Sequence, residues 1–374
     1  MKRYCFPYIE KDLKNKMVFL GGPRQAGKTT LGKALLAKTS GVYFNWDNDE
    51  DRRDLLGKQW RADSPLVVFD ELHKYPLWKR WIKGCYDVKP DHQQYFVTGS
   101  ARLDLYKKGG DSLLGRYHYL RLHPLTIDEI PEHMPLQEAY ERLLSVGGFP
   151  EPFLSGDQRE ARRWRQERFQ RVLREDVRDL EKIREIQLLQ LFVDSLRTRV
   201  GGLTTLANIA ADVQISPKTA KSWLTIAENM YLCFAVYPYT TNLARSILKP
   251  PKVYFFDNAD TAENSGMRLE NLVATTLLKR LHFLEDYYGY RCALHYVRDK
   301  DGREVDFLTL VDGKIHELIE VKSTDSTLSS SLKYYAEKLK PTHAVQLVGN
   351  LKRSFDKDNI HVAHPRDYFT PPLW

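Results

Sequence analysis

The first third of the chain alternates short apolar runs with stretches of helical spacing. The runs are MVFL, VYFN, PLVVFDE and QYFVTGS, and a helical pattern follows each of the first three. Short buried runs separated by crossover-length helices mark a parallel sheet, so this region is expected to be α/β. From Gly156 to about Arg199 the period becomes helical, with Trp164, Phe169, Val172, Leu173, Val177 and Leu180 at helix-like spacing. Between Gly201 and Asp257 the pattern predicts a helix from Thr205 to Val213, a turn and a helix opened by Ser216 and Pro217. Two extended runs follow, Tyr231 to Tyr239 and Val253 to Phe256. Serine suits the capping position of that second helix and proline its first turn. After Met267 comes an amphipathic helix, then the strand-like runs HYVR, EVDFLTLV and KIHELIEVK, joined by Asp301-Gly302 and Asp312-Gly313 turns. The last module therefore reads as α+β, and the chain divides at 1–145, 146–200, 201–262 and 263–374.

Composition narrows the setting. A chain of 374 residues with 42% apolar content is long enough for several cores. Its four cysteines lie too far apart for metal clusters, so a reducing compartment without disulfides is expected. The opening MKRYCFPYIE lacks a signal-peptide apolar region, and no run of 18 apolar residues occurs, which points to a cytoplasmic protein with no membrane span. The net charge of +8 and a pI near 9.0 favour polyanions, and nucleic acid, ribosome and anionic lipid all fit. Arg159, Arg162, Arg163, Arg165, Arg168, Arg171 and Arg174 suggest DNA. However, Glu160, Glu167, Glu175 and Asp176 lie among them at salt-bridge spacing, which favours a solvated helix face.

The sharpest chemistry lies between the first apolar run and its helix. Gly22, Pro23, Arg24, Gln25, Ala26, Gly27, Lys28 and Thr29 spell G-x-x-x-x-G-K-S/T, with Thr30 following. Glycines let the backbone curl so that its N–H groups surround phosphates; Lys28 adds a positive charge, and Thr29 offers a hydroxyl to Mg²⁺. The ligands expected are ATP and Mg²⁺. Asp70, at the tip of the buried run PLVVFDE, would hold the Mg²⁺ shell, and Glu71 would activate the attacking water. Thr98 and Ser100 end the next run, where they either sense the γ-phosphate or serve ordinary turn chemistry.

The sequence resembles a prokaryotic family of AAA+ ATPases, through GGPRQAGKTT, VVFDELHKYPLWKRWIKGCYD, FVTGSAR, SLLGRYHYLRLHPLTIDEI and GGFPEP, and the likeness covers nearly the whole chain. The resemblance implies a P-loop parallel-sheet domain, a helical lid or linker, a winged helix and a restriction-endonuclease-like tail. It also implies a homo-oligomer, with a ring as the AAA+ analogy. Arg116 matches an arginine that would reach a neighbour's γ-phosphate; local pairing with a carboxylate is the other reading. In the winged helix Lys218, Thr219, Lys221 and Ser222 would face DNA, unless the module serves packing alone.

In the tail, Asp306 and Glu320 lie on adjacent strands, and Glu320 and Lys322 share a face; Glu270 on the preceding helix adds a carboxylate. This set resembles the PD-(D/E)XK nucleases, which implies Mg²⁺ held by Glu270, Asp306 and Glu320, with Lys322 positioning water. Surface salt bridges give the same pattern. The leading expectation is an ATP-hydrolysing protein acting on DNA, with a tail that cleaves or grips it. The alternative is a nucleotide-controlled signalling or defence switch with a degenerate interaction domain and a protein partner. A metabolic kinase ranks last, because it does not explain Glu71 or the tail carboxylates.

Overall fold

A computed structural model describes residues 3–99, 113–129, 134–173, 186–240, 249–262 and 264–370. The chain forms two compact units. The first comprises Met1–His123 with Asp286–Tyr288, and the second comprises the remainder, so the expected divisions near 145, 200 and 262 all fall inside the second unit.

The first unit is built on five parallel strands: β1 (Met17–Gly21), β2 (Gly41–Asn45), β3 (Leu66–Asp70), β4 (Gln94–Thr98) and β5 (Tyr117–Arg121), in the order β2-β3-β4-β1-β5. Because β1, β3 and β4 are covered on both sides, their central residues are apolar on both faces rather than alternating. Side chains still alternate between faces: Phe19, Phe69 and Val97 pack with Trp78 on one side, and Val18, Val68 and Phe96 pack with Leu31 and Leu35 on the other. Helices α1 (Phe6–Asp12), α2 (Lys28–Thr39), α3 (Asp49–Leu56) and α4 (Trp78–Asp87) belong to this unit. Parallel register brings Gly21, Asn45, Asp70, Thr98 and Arg121 to one edge, where ligands of such sheets bind.

The second unit has eight strands, in the order β12-β13-β11-β10-β9-β8-β6-β7: β6 (Cys233–Pro238), β7 (Lys252–Phe255), β8 (Cys292–Arg298), β9 (Glu304–Val311), β10 (Lys314–Lys322), β11 (His343–Val348), β12 (Phe355–Lys357) and β13 (Ile360–Ala363). The β9–β10 turn has Asp312 at φ 49° and Gly313 at φ 76°, the two left-handed residues a tight hairpin needs. The β6–β7 hairpin is continuous with this sheet, because Tyr237 and Pro238 pair with His295 and Tyr296 of β8. Ahead of it lie the helices Leu206–Asp212 and Pro217–Asn229, and Ser216 caps the latter by accepting from the Thr219 N–H. The helix Ser265–Phe283 begins at Asn264, whose side chain accepts from the Gly266 and Met267 N–H groups. Among the described residues no helix is long and apolar enough to cross a membrane.

Candidate active site

The loop between β1 and α2 is forced into shape by its glycines. Gly22 has φ 127°, and a Cβ there would stand 2.3 Å from the Leu122 carbonyl oxygen; Gly27 has φ 95°. Pro23 and Ala26 are buried, Arg24 is half-buried and Gln25 is exposed with φ 63°. Arg3 braces the loop, donating from its two terminal nitrogens to the carbonyls of Ala26 and His123. Lys28 begins α2 and turns its ammonium into the loop, donating to the Gly22 and Pro23 carbonyls at 3.0 and 2.6 Å. Thr29 and Thr30 complete the exposed first turn.

Asp70 ends β3 and gathers three hydroxyls. Thr29 Oγ1 donates to Oδ2 at 2.7 Å, Tyr43 Oη donates to the same oxygen at 2.6 Å, and Thr98 Oγ1 donates to Oδ1. Burial and this bond hold the Tyr43 hydroxyl well above its ordinary pKa. The residues fit a Mg·ATP complex: a buried ammonium, a curled glycine loop and a Thr29–Asp70 pair stand together at one sheet edge.

Glu71 follows Asp70 in the left-handed region, at φ 57° and ψ 22°, and its N–H donates to the Thr98 carbonyl. Its Oε2 is buried without a hydrogen-bond partner among the described residues, with His73 Nε2 at 3.7 Å and Lys74 Nζ at 3.5 Å. Burial raises its pKa against the lowering charges of Lys28 and Lys74. A desolvated carboxylate beside the P-loop is suited to taking a proton from water. Ser100 lies outside the described residues. Arg116 pairs with Asp87 of its own chain, Nε to Oδ1 at 2.6 Å.

The chain resembles known proteins region by region. Residues 14–131 match a AAA domain family. This match supports a AAA-type P-loop ATPase domain over that stretch. Residues 137–262 and 265–368 match two domains of unknown function (DUF8612 and DUF4143). Uncharacterized proteins of Mycobacterium tuberculosis (Rv2008c) and Mycobacterium bovis (Mb2031c) are 25% identical over 243 residues, covering 64% of this chain and 54% of each relative, so the match spans about half of their length. A Pif1 helicase structure from work on forked double-stranded DNA covers 41% of this chain and 50% of its own, at 13% identity and TM-score 0.23. Bacteroides Pif1 with ADP-AlF3 and single-stranded DNA covers 38% and 45%, at 14% identity and TM-score 0.22. Superpositions this poor bear on neither fold nor function.

Sequence reasoning missed Tyr43, Arg3 and Lys74. Tyr43 was within reach: it pairs with Val68 in β2–β3 register, and Val68 shares a face with Asp70 two residues on. Nothing in the spacing of Arg3 marks it, since its partners are backbone carbonyls up to 120 residues away.

In the second unit, Glu270, Asp306 and Glu320 do come near one another, but around lysines. Lys252, which sequence reasoning passed over, lies 2.8 Å from Glu304, 3.0 Å from Asp306 and 3.3 Å from Glu270, and Lys322 lies 2.7 Å from Glu320. Burial, then the Asp306 charge, pushes the carboxyls of Glu270 and Glu320 up to about 7. Among the described residues no group of three or more His, Cys, Asp or Glu is placed to hold a metal ion. The residues do not fit the Mg²⁺ that the nuclease resemblance implied, and no hydrolytic step follows from them.

The arginine-rich helix, Gln158–Arg171, presents a solvated face as expected, but, among the described residues, without the expected ion pairs at Arg159, Arg162 and Arg163. Arg159, Arg162 and Arg163 are exposed on one face, and none forms an ion pair among the described residues; Glu160 instead accepts from Ser155 Oγ. They line a concavity of about 1000 Å³ whose other charged lining residues are Arg165, Arg197, Glu167, Asp194 and Asp260. Arg197 is committed to Asp194 and Asp260. Arg174, Glu175, Asp176, Val177 and Leu180 lie outside the described residues.

Proposed function

We propose that this protein hydrolyses ATP at the AAA domain and couples that hydrolysis to work on DNA. The buried Glu71 oxygen, which accepts no hydrogen bond among the described residues and has Lys74 and His73 nearby at 3.5 and 3.7 Å, carries the hydrolytic reading, beside Lys28, Thr29 and Asp70. Water bonds to the γ-phosphorus as Glu71 takes its proton, the bridging P–O bond breaks, and ADP and phosphate leave. Bound Mg²⁺ supplies neutralisation of the phosphate oxygens. Lys28 binds the phosphates, Asp70 keeps Thr29 oriented, and Tyr43 and Thr98 keep Asp70 in place.

The concavity lined by Arg159, Arg162 and Arg163 supports DNA as the object of that work, because guanidinium groups without carboxylate partners on one helix face suit a phosphate backbone. The test is ATP turnover with and without duplex DNA, alongside binding measured across salt. Glu71→Gln should retain nucleotide and lose turnover by about 10²-fold or more. Arg159→Ala/Arg162→Ala/Arg163→Ala should weaken DNA binding and flatten its salt slope by about 0.9 for each phosphate that is no longer neutralised. A second reading, a nucleotide-controlled switch whose tail is an interaction domain, is favoured by the lysine-filled carboxylate cluster. Turnover indifferent to every DNA would select it.

A further inference from the structure

The carboxylate cluster of the second unit turns on one buried position. Lys252 opens β7 with 1% of its surface exposed. Its ammonium faces Glu304 and Asp306 from β9 and Glu270 from the helix Ser265–Phe283. Tyr254, two residues along β7 and on the same face, donates to Glu270 Oε1 at 2.7 Å. Burial opposes the lysine's charge, and Asp306, Glu270 and Glu304 outweigh it, so its pKa stays above the ordinary lysine value.

We propose that Lys252 is the resident cation of this cluster, its ammonium standing where a divalent metal would otherwise neutralise the carboxylates.

Space and ligand supply both argue for it. Mg²⁺ needs oxygens at about 2.0–2.1 Å in an octahedron, and Ca²⁺ needs six or more at about 2.3–2.6 Å. One oxygen of each of Glu270, Glu304 and Asp306 is already given to a nitrogen at 2.8–3.3 Å, and a metal sharing those oxygens would collide with it. Two of the four remaining oxygens are committed as well. Glu304 Oε2 accepts from Arg298 at 2.6 Å, and Asp306 Oδ2 accepts from the Val321 N–H at 3.0 Å. Glu270 Oε2 faces Gly201, where an added Cβ would stand 2.6 Å away. Glu320 Oε2 is buried with no hydrogen-bond partner among the described residues, but one carboxylate oxygen does not make a Mg²⁺ site. Lys252, Lys322 and Arg298 offset three of the four carboxylate charges, and a second cation finds little left to neutralise.

The test is Mn²⁺ titration of the full chain without nucleotide, in an Asp70→Asn background that silences the P-loop. The Lys252-bearing chain should take up no Mn²⁺ through the millimolar range. Lys252→Met removes the ammonium and keeps the stem; it should gain one Mn²⁺ per chain, at least tenfold tighter, and lose it again on adding Asp306→Asn. Lys252→Arg keeps the charge and should fold and ignore Mn²⁺. The inference is overturned if the Lys252-bearing chain binds Mn²⁺ in a manner abolished by Asp306→Asn, a measurement independent of how any Lys252 variant folds. A folded Lys252→Met chain that gains no Mn²⁺ overturns it equally. Recovery of an unfolded Lys252→Met chain by Mn²⁺ supports it.

Discussion

At the scale of single residues the P-loop region holds two adjacent carboxylates in different surroundings. Asp70 is saturated with hydroxyl donors, whereas Glu71 keeps a buried oxygen with no donor among the described residues. Burial raises the Glu71 pKa above its ordinary value of 4.5, so ATP turnover should rise with pH as Glu71 loses its proton, with a midpoint above that value. Lys74 lies 3.5 Å from the same oxygen and pulls the other way. Lys74→Ala removes a lowering charge, and the acidic limb of the kcat/KM profile should therefore move to higher pH. A limb unmoved in Lys74→Ala would detach it from Glu71.

At the scale of elements, one buried amide ties a strand to a helix. Asn271 accepts from the Phe255 N–H at 2.7 Å and donates to the Phe255 carbonyl and to Asn258 Oδ1. Asn271→Leu strands these groups at about 1–3 kcal/mol apiece, and the urea midpoint of the second unit should fall accordingly. Local features of this kind divide into those the sequence displays and those it hides. Apolar runs announced β1, β3 and β4, the Asp312-Gly313 pair announced its hairpin, and the P-loop string announced the nucleotide site, because each is written within a few residues. Lys252 was hidden because its meaning depends on carboxylates 18 to 54 residues away and on β7 lying in the same sheet as β9. Read alone, a lysine after two prolines is surface. The continuity of β6–β7 with the tail sheet was hidden for the same reason: strand pairing at long separation leaves no mark in a local pattern.

At the scale of the whole molecule, assembly bears on Arg116. Within its own chain it is held by Asp87, and a role in a neighbouring subunit's site requires that exposed pair to exchange, a small cost in water. If it does exchange, mixing inactive Lys28→Ala and Arg116→Ala chains should restore some hydrolysis in proportion to the mixed sites formed. Absence of complementation in verified mixed oligomers removes that role. A last consequence comes from the backbone of Glu71. The left-handed region costs an ordinary residue about 1–2 kcal/mol, while asparagine tolerates it. Glu71→Asn should therefore unfold at a higher urea concentration, by about 1 kcal/mol, while turnover disappears. The protein that works is in this respect not the most durable version of itself.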